Sequence, residues 1–370
     1  MYGLVLIAVG GPFLISLAMT YGVRAWARRA EFVDRPGGHK RHESAVALGG
    51  GIAFMPAICG PVLLGTIAAW VIHSDDAGPD WLPALAQTHL AGIASKLPAI
   101  LAIVGGAIVL HLVGLIDDRR PLGPAPKFIA QFAVAIFIAG PVGIRALQVL
   151  PLPLSFAATV LWIVVITNAF NFLDNMDGLS AGVAAIAAAI FAVTAARSGQ
   201  VFVPAMACVI VGGLLGFLVY NFSPATIFMG DAGSLPLGFL MSVVTILTTF
   251  YDPARNLTPL GVIVPIVVLA VPLYDVTSVV IHRLRAGDSP LRGDTRHFSH
   301  RLVRRGMTPR GAVLTIYLAT AATGLPAIIL PTVDWPIAVL LLLQCLAVVT
   351  MIAVLEHTPN PNPERKRRAD

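Results

Sequence analysis

Five aspartates carry the first chemical signal in this chain. Asp117 and Asp118 sit in Gly-Leu-Ile-Asp-Asp-Arg-Arg, Asp174 and Asp177 in Asn-Phe-Leu-Asp-Asn-Met-Asp-Gly, and Asp231 in Phe-Met-Gly-Asp-Ala-Gly-Ser. Asn168 and Asn171 precede the second group at three-residue spacing, Asn221 precedes Asp231, and His297 and His300 lie further along. Each aspartate ends or borders a long apolar run, where a charge is expensive and its presence usually functional. Carboxylates and amides beside Gly-rich turns are hard oxygen donors, suited to Mg²⁺ that shares its coordination with substrate phosphates. Lys, Arg and His close by would neutralise phosphate oxygens. The predicted chemistry is phosphoryl transfer on a diphosphate, next to a membrane.

The elements that must hold these residues follow from composition. The 370 residues are 57% hydrophobic and 12% charged, against about 25% charged in a soluble domain. That excludes a soluble globular enzyme, a disordered chain and a nucleic-acid binder. The three cysteines, Cys59, Cys208 and Cys345, lie inside apolar runs, so no disulfide framework or Cys metal site is indicated. A spanning helix needs about 20 mostly apolar residues. Eleven stretches qualify: 2–22, 46–72, 97–116, 128–145, 152–170, 179–196, 201–221, 234–250, 260–282, 312–330 and 335–355. The opening run reads as a first span rather than a removed signal peptide. The fold class is therefore all-α, a polytopic membrane protein of about eleven transmembrane helices, with one membrane domain over 1–355 and a basic tail over 356–370.

Basic residues set the orientation. Odd-numbered connections and the tail hold 21 of the 25: six in 23–45, three around Arg119–Lys127, eight arginines in 283–310 and four in 365–368. Lys96, Arg145, Arg197 and Arg255 alone fall on even connections. By the positive-inside rule the N-terminus is outside and the C-terminus cytoplasmic. All five aspartates then share the cytoplasmic face of the cell (inner) membrane.

Neighbouring patterns do not fit. Pro121 and Leu122 follow the arginines where a DDxxD prenyl-diphosphate motif needs another acid, and Asp177-Gly178 lacks the Ala-Arg of CDP-alcohol phosphotransferases. The set in this order resembles the polyprenyl-phosphate N-acetylhexosamine-1-phosphate transferases. The motifs are Lys40-Arg41-His42 before Gly49-Gly50-Gly51, Asp117-Asp118 with Lys127 and Gln131, and Asn168-x-x-Asn171-x-x-Asp174-x-x-Asp177-Gly178. Phe228-Met229-Gly230-Asp231-x-Gly233-Ser234 and Asp294-x-x-His297-x-x-His300-Arg301-Leu302 complete it, so the resemblance runs from Asp34 to about Leu302.

The resemblance implies transfer of HexNAc-1-phosphate from a UDP-sugar to polyprenyl (undecaprenyl) phosphate, releasing UMP, with Mg²⁺ as cofactor and Mn²⁺ able to substitute. It implies Asp117 as base for the lipid phosphate with Asp118 assisting, and Asp231 on the metal with Asn171 beside it. It implies substrate contacts for His42, Lys127, Asp174, Asp177, Asn221, Phe228, His297 and His300, with Asp177, Asn221 and Phe228 at uracil. A homodimer is compatible with it. Ser299 stands where many relatives have a further histidine, Ala47 where proline is common, and Asn175 where glycine is usual. The branch acting on UDP-MurNAc-pentapeptide typically has adjacent histidines in its last motif and ten spans, which favours a simple UDP-HexNAc such as UDP-GlcNAc here. A secondary transporter, the rival from another class, would place its acids at mid-membrane; only Asp275 is deep. Asp275 is expected to be a buried polar partner for a neighbouring helix, and His111 and His282 to be packing or interfacial residues. Gly105-Gly106 and Gly212-Gly213 are expected at close helix contacts.

Overall fold

The computed structural model describes residues 2–35, 45–74, 84–248, 250, 258–289 and 297–357. Among them, the only sheet is a two-stranded antiparallel ribbon, Val33–Asp34 (β1) against Val46–Ala47 (β2). The helices begin with Tyr2–Arg29 (α1), Gly50–Ser74 (α2), Ala84–Ala94 (α3), Leu97–Arg119 (α4), Pro124–Ala139 (α5) and Leu152–Leu173 (α6). They continue with Leu179–Arg197 (α7), Phe202–Asn221 (α8), Asp231–Leu247 (α9), Val264–Val268 (α10), Ala270–Arg285 (α11), Phe298–Arg304 (α12), Pro309–Gly324 (α13) and Trp335–His357 (α14).

Each of the eleven apolar stretches holds a helix or a helix pair, although 46–72 opens on β2 and 128–145 runs on past the end of α5. Eight are long and apolar enough to cross a membrane, α5 and α9 are shorter, and α10 with α11 form one bent pair. Helices are what such runs must form, because lipid offers no partner to an unpaired N–H or C=O. Two features depart from the expectation. Helix α3 is additional, and the run 260–282 is broken by a 63° bend rather than being one straight span. Pro272 explains the break: it has no N–H for the carbonyl of Val268, and its ring crowds that carbonyl. The bend falls at Leu269, between the two helices.

Helix α9 is the axis of the bundle. Ala232–Thr245 is buried, with α2, α4, α6, α7 and α8 packed around it. Pro236 lies inside α9 and leaves the carbonyl of Ala232 without its helical donor. His111 of α4 supplies one, with Nδ1 2.7 Å from that oxygen. His111 is thus the packing residue expected, and its bond couples α4 to the first turn of α9. The same two helices touch backbone to backbone at Gly114, where a Cβ would lie 2.2 Å from the carbonyl oxygen of Asp231. Gly106, Gly212 and Gly213 are also at close contacts, whereas Gly105 faces open space, contrary to expectation.

A buried ionic knot ties the last helix to the others. Glu356, near the end of α14, accepts from Tyr274 of α11 at 2.7 Å and from Nε and Nη2 of Arg301 in α12 at 3.0 and 2.8 Å. Arg301 also reaches Ser278 of α11 at 2.9 Å. The α12 helix that carries His300 is therefore fixed from two sides.

Two stability tests follow from these contacts. Gly114→Ala overpacks the α4–α9 contact and is expected to lower the unfolding free energy by about 1–3 kcal/mol. Gly105→Ala, in the same helix but facing open space, is expected to leave it unchanged or raise it; equal effects would contradict the close approach. Glu356→Ala leaves the largely enclosed Arg301 guanidinium without the buried carboxylate it pairs with and is expected to cost about 3–5 kcal/mol. Unfolding of the detergent-solubilised variants reads both, and an unaltered Glu356→Ala midpoint would show that the knot does not hold α12.

Candidate active site

The acidic residues converge because four helix ends meet. Asp117 and Asp118 lie in the last turn of α4, Lys127 in the first turn of α5, Asn171 in the last turn of α6, and Asp231 opens α9. The Lys127 ammonium sits between two carboxylates, 3.2 Å from Asp117 Oδ2 and 2.9 Å from Asp231 Oδ2. Asn171 donates through Nδ2 to the other oxygen of Asp231 at 2.9 Å and to Ser234 Oγ at 2.9 Å. Asp117 Oδ1 accepts from the backbone of Leu122 at 2.9 Å, closing the turn after α4.

The adjacent aspartates do different work. Asp118 Oδ1 and Oδ2 accept from the backbone N–H groups of Asp231 and Ala232 at 2.8 and 3.1 Å. It caps the start of α9 from another helix, placing a negative charge where the helix end has orphan donors and positive potential. Gly230 makes room: its φ is +69°, and a Cβ there would lie 2.4 Å from Asp118 Oδ2. Only glycine adopts that backbone and that contact together without strain. Asp118 therefore sets the position of Asp231, and Asp117 faces the open side.

That open side is a cavity of about 530 Å³ lined by Asp117, Lys127, Gln131, Asn168, Asn171, Phe172, Asp174, Asn175, Arg283 and His297, among others. Asn168 donates to Gln131 across its wall. Asp174 is partly accessible from the cavity but deeply enclosed. That enclosure, with the negative charges of Asp231 and Asp118, pushes its carboxyl well above the ordinary carboxylate range, against a lowering bond from the N–H of Gly230. A larger groove of about 1420 Å³ lies at the other end of α4 and α5; it is walled mainly by apolar side chains, with no acid in its lining. The chemistry belongs to the smaller cavity.

The structure brings together Asp117, Lys127, Asn171, Asp174 and His297 around the cavity, with Asp231 just behind Lys127. His300 is near His297, their ring centroids 6.4 Å apart. Asp177 and Asn221 do not line it. Asp177 accepts from the backbone of Ala225 at 2.9 Å; Asn221 accepts from Gly178 at 3.1 Å and donates to Ile227 at 2.9 Å. Both organise the loop from α8 to α9. Phe228 lies in that loop, its backbone bonded to Ala47 and Gly50, and is also absent from the lining. His42 is outside the described residues.

Two residues were missed as site components. Arg283, 1% exposed, lines the cavity with its guanidinium carbon 5.1 Å from the centroid of Phe172. Asp275, 0% exposed, holds His297 Nδ1 at 2.8 Å. Asp275, Val279 and Arg283 are four residues apart on one buried face of α11, and that spacing is the sequence signal that could have found both. Ser299 and Asn175, two of the departures, meet each other: Ser299 Oγ donates to Asn175 Oδ1 at 2.6 Å, joining α12 to the turn after α6.

Among the described residues no group of three or more His, Cys, Asp or Glu converges as a metal cage. A hard cation completed by substrate phosphates needs only one or two carboxylates, and the pair Asp117 and Asp231, already sharing one cation, fits that requirement.

Residues 100–249 match the sequence model of glycosyl transferase family 4. A probable undecaprenyl-phosphate N-acetylglucosaminyl 1-phosphate transferase of Bacillus subtilis is 32% identical over 327 residues, covering 86% of this chain and 82% of the relative. A decaprenyl-phosphate N-acetylglucosaminephosphotransferase of Mycolicibacterium smegmatis is 32% identical over 82% of this chain and 78% of its own length. An undecaprenyl-phosphate alpha-N-acetylglucosaminyl 1-phosphate transferase of Escherichia coli is 26% identical over 84% and 79%. A match to the family over the stretch that holds Asp117, Asp174 and Asp231, and a relative of this likeness across nearly the whole length, mean that the chain belongs to glycosyl transferase family 4.

Proposed function

We propose that the protein transfers N-acetylglucosamine-1-phosphate from its UDP-sugar to polyprenyl phosphate and releases UMP. The observation that carries this reading is the Asp117–Lys127–Asp231 cluster at the wall of a polar cavity, in a chain whose relatives are named for that transfer. An oxygen of the lipid phosphate attacks the β-phosphorus of the UDP-sugar, and the bond from that phosphorus to the bridging oxygen breaks. UMP departs with the bond's electrons, and the lipid keeps a sugar diphosphate.

The side chains have distinct tasks. Asp117 orients the lipid phosphate and accepts its remaining proton where it has one. Lys127, Arg283 and His297, which line the cavity, offset the diphosphate charge. Asn171 and Asp118 hold Asp231, one through its carboxylate and the other through its backbone. Asp231, with Asn171 beside it and Asp117 facing it, would hold a magnesium ion, which would supply positive charge to offset the negative charge of the diphosphate and the leaving group. The basic-residue split supports eleven crossings with an outside N-terminus and a cytoplasmic C-terminus, an arrangement that would put the cavity on the cytoplasmic face of the cell membrane. The broken helix and deep aspartate that a transporter would use for cargo serve His297 here.

Purified protein with polyprenyl phosphate, Mg²⁺ and a panel of UDP-sugars is expected to release UMP fastest from UDP-GlcNAc, and only when the lipid is present. Lipid-independent release, or none from any UDP-sugar, would contradict the reading. Asp231→Asn is expected to fold and to lose at least about two orders of magnitude in rate, roughly 2.7 kcal/mol; near-normal turnover would place the ion elsewhere. For sidedness, a reporter fused after residue 290 is expected to read cytoplasmic and one after residue 255 extracytoplasmic. The opposite pattern would remove the cavity from the face where UDP-sugars are made.

A further inference from the structure

We infer that Asp275 is the positioning residue of His297, fixing which ring nitrogen carries hydrogen and which one meets the substrate. This rests on the proposed phosphoryl transfer for its consequence, and on geometry for its existence. Asp275 is wholly buried in α11. Its Oδ2 lies 2.8 Å from His297 Nδ1, and its Oδ1 accepts from the backbone N–H of Phe298 at 3.1 Å. One carboxylate therefore anchors both the imidazole and the backbone where α12 begins.

A carboxylate only accepts, so Nδ1 must carry its hydrogen, and Nε2 on the opposite edge remains for the cavity that His297 lines. The ring cannot turn freely. Phe172 packs edge-on at 5.7 Å and 88°, and His300 stands 6.4 Å away. With Nδ1 held by Asp275, Nε2 is the ring nitrogen left to meet a substrate oxygen in the cavity. The arrangement parallels carboxylate–histidine pairs in which the acid orients the ring and never touches substrate.

The test uses the full-length protein with Asp275→Asn, His297→Ala and the double variant. Asn preserves shape but presents an N–H to Nδ1, so the hydrogen on the ring moves to Nε2. In ¹⁵N-histidine-labelled protein without substrate, the wild type is expected to show, beside the Nδ1–H signal of His111, another signal bearing hydrogen on Nδ1 that disappears in His297→Ala. That signal should change to the Nε2–H form in Asp275→Asn. A wild-type His297 that bears hydrogen only on Nε2 overturns the inference, and this holds even if Asp275→Asn does not fold.

In the UMP-release assay, Asp275→Asn is expected to lose about 10–100-fold in kcat/KM, as loss of an orienting partner typically does. The double variant should be no slower than His297→Ala alone, because both changes remove one unit. Losses that multiply would mean that Asp275 acts independently of His297, and would overturn the inference. If the wild type releases no UMP while the spectra behave as expected, the proposed function falls and the Asp275–His297 pair stands.

Discussion

A carboxylate at the end of an apolar helix must find a counter-charge, a backbone N–H or a bound cation, because the surrounding hydrocarbon offers none. The arrangement around Asp231 follows from that constraint. Lys127 bridges Asp231 to Asp117, and Asn171 takes the second Asp231 oxygen. Asp118 accepts from the N–H groups that open α9. The partners come from α4, α5, α6 and α9, so satisfying the charges draws four helix ends to one point. The cavity beside that point presents charge to a ligand on ordered supports.

Helix α9 transmits the constraint through the bundle. It is short, enclosed by its neighbours and sutured to α4 by three contacts at its first residues: the Asp118 cap, the Gly114 approach and the His111 bond that replaces the donor missing at Pro236. A small shift of α4 would move Asp117, Asp118 and Asp231 together. A second assembly holds the histidines. The bent α10–α11 pair places Asp275 beside His297, while Glu356 and Arg301 clamp α12 from the other side. The cavity lies between these two assemblies, one rich in carboxylates and the other in cationic and imidazole groups.

Much of this was legible in the sequence. Apolar runs of spanning length dictate helices, and each of the eleven stretches holds a helix or helix pair; the aspartates at their ends pointed to the cavity, and Asp117, Asn171 and Asp174 are in its wall. What was not legible has identifiable causes. Pro272 looks harmless in an apolar run, yet it removes one backbone donor and bends the segment. Helix α3 carries Gln87, Thr88 and His89, which break the apolar pattern. Arg283 was absorbed into the count of cytoplasmic basic residues, although it is buried. Asp177 and Asn221 have polar types that suit a ligand, but turns also need such side chains, and here the backbone of the α8–α9 loop takes them.

The central claim is that the Asp117–Lys127–Asp231 cluster is where a divalent ion and a diphosphate meet. Crystals grown with Mn²⁺ and UDP-GlcNAc, with diffraction collected at the manganese edge, locate the ion directly. An anomalous peak about 2 Å from an Asp231 carboxylate oxygen, beside the diphosphate and facing Asp117, is the expected result. A nucleotide bound with its manganese peak remote from both carboxylates would contradict it.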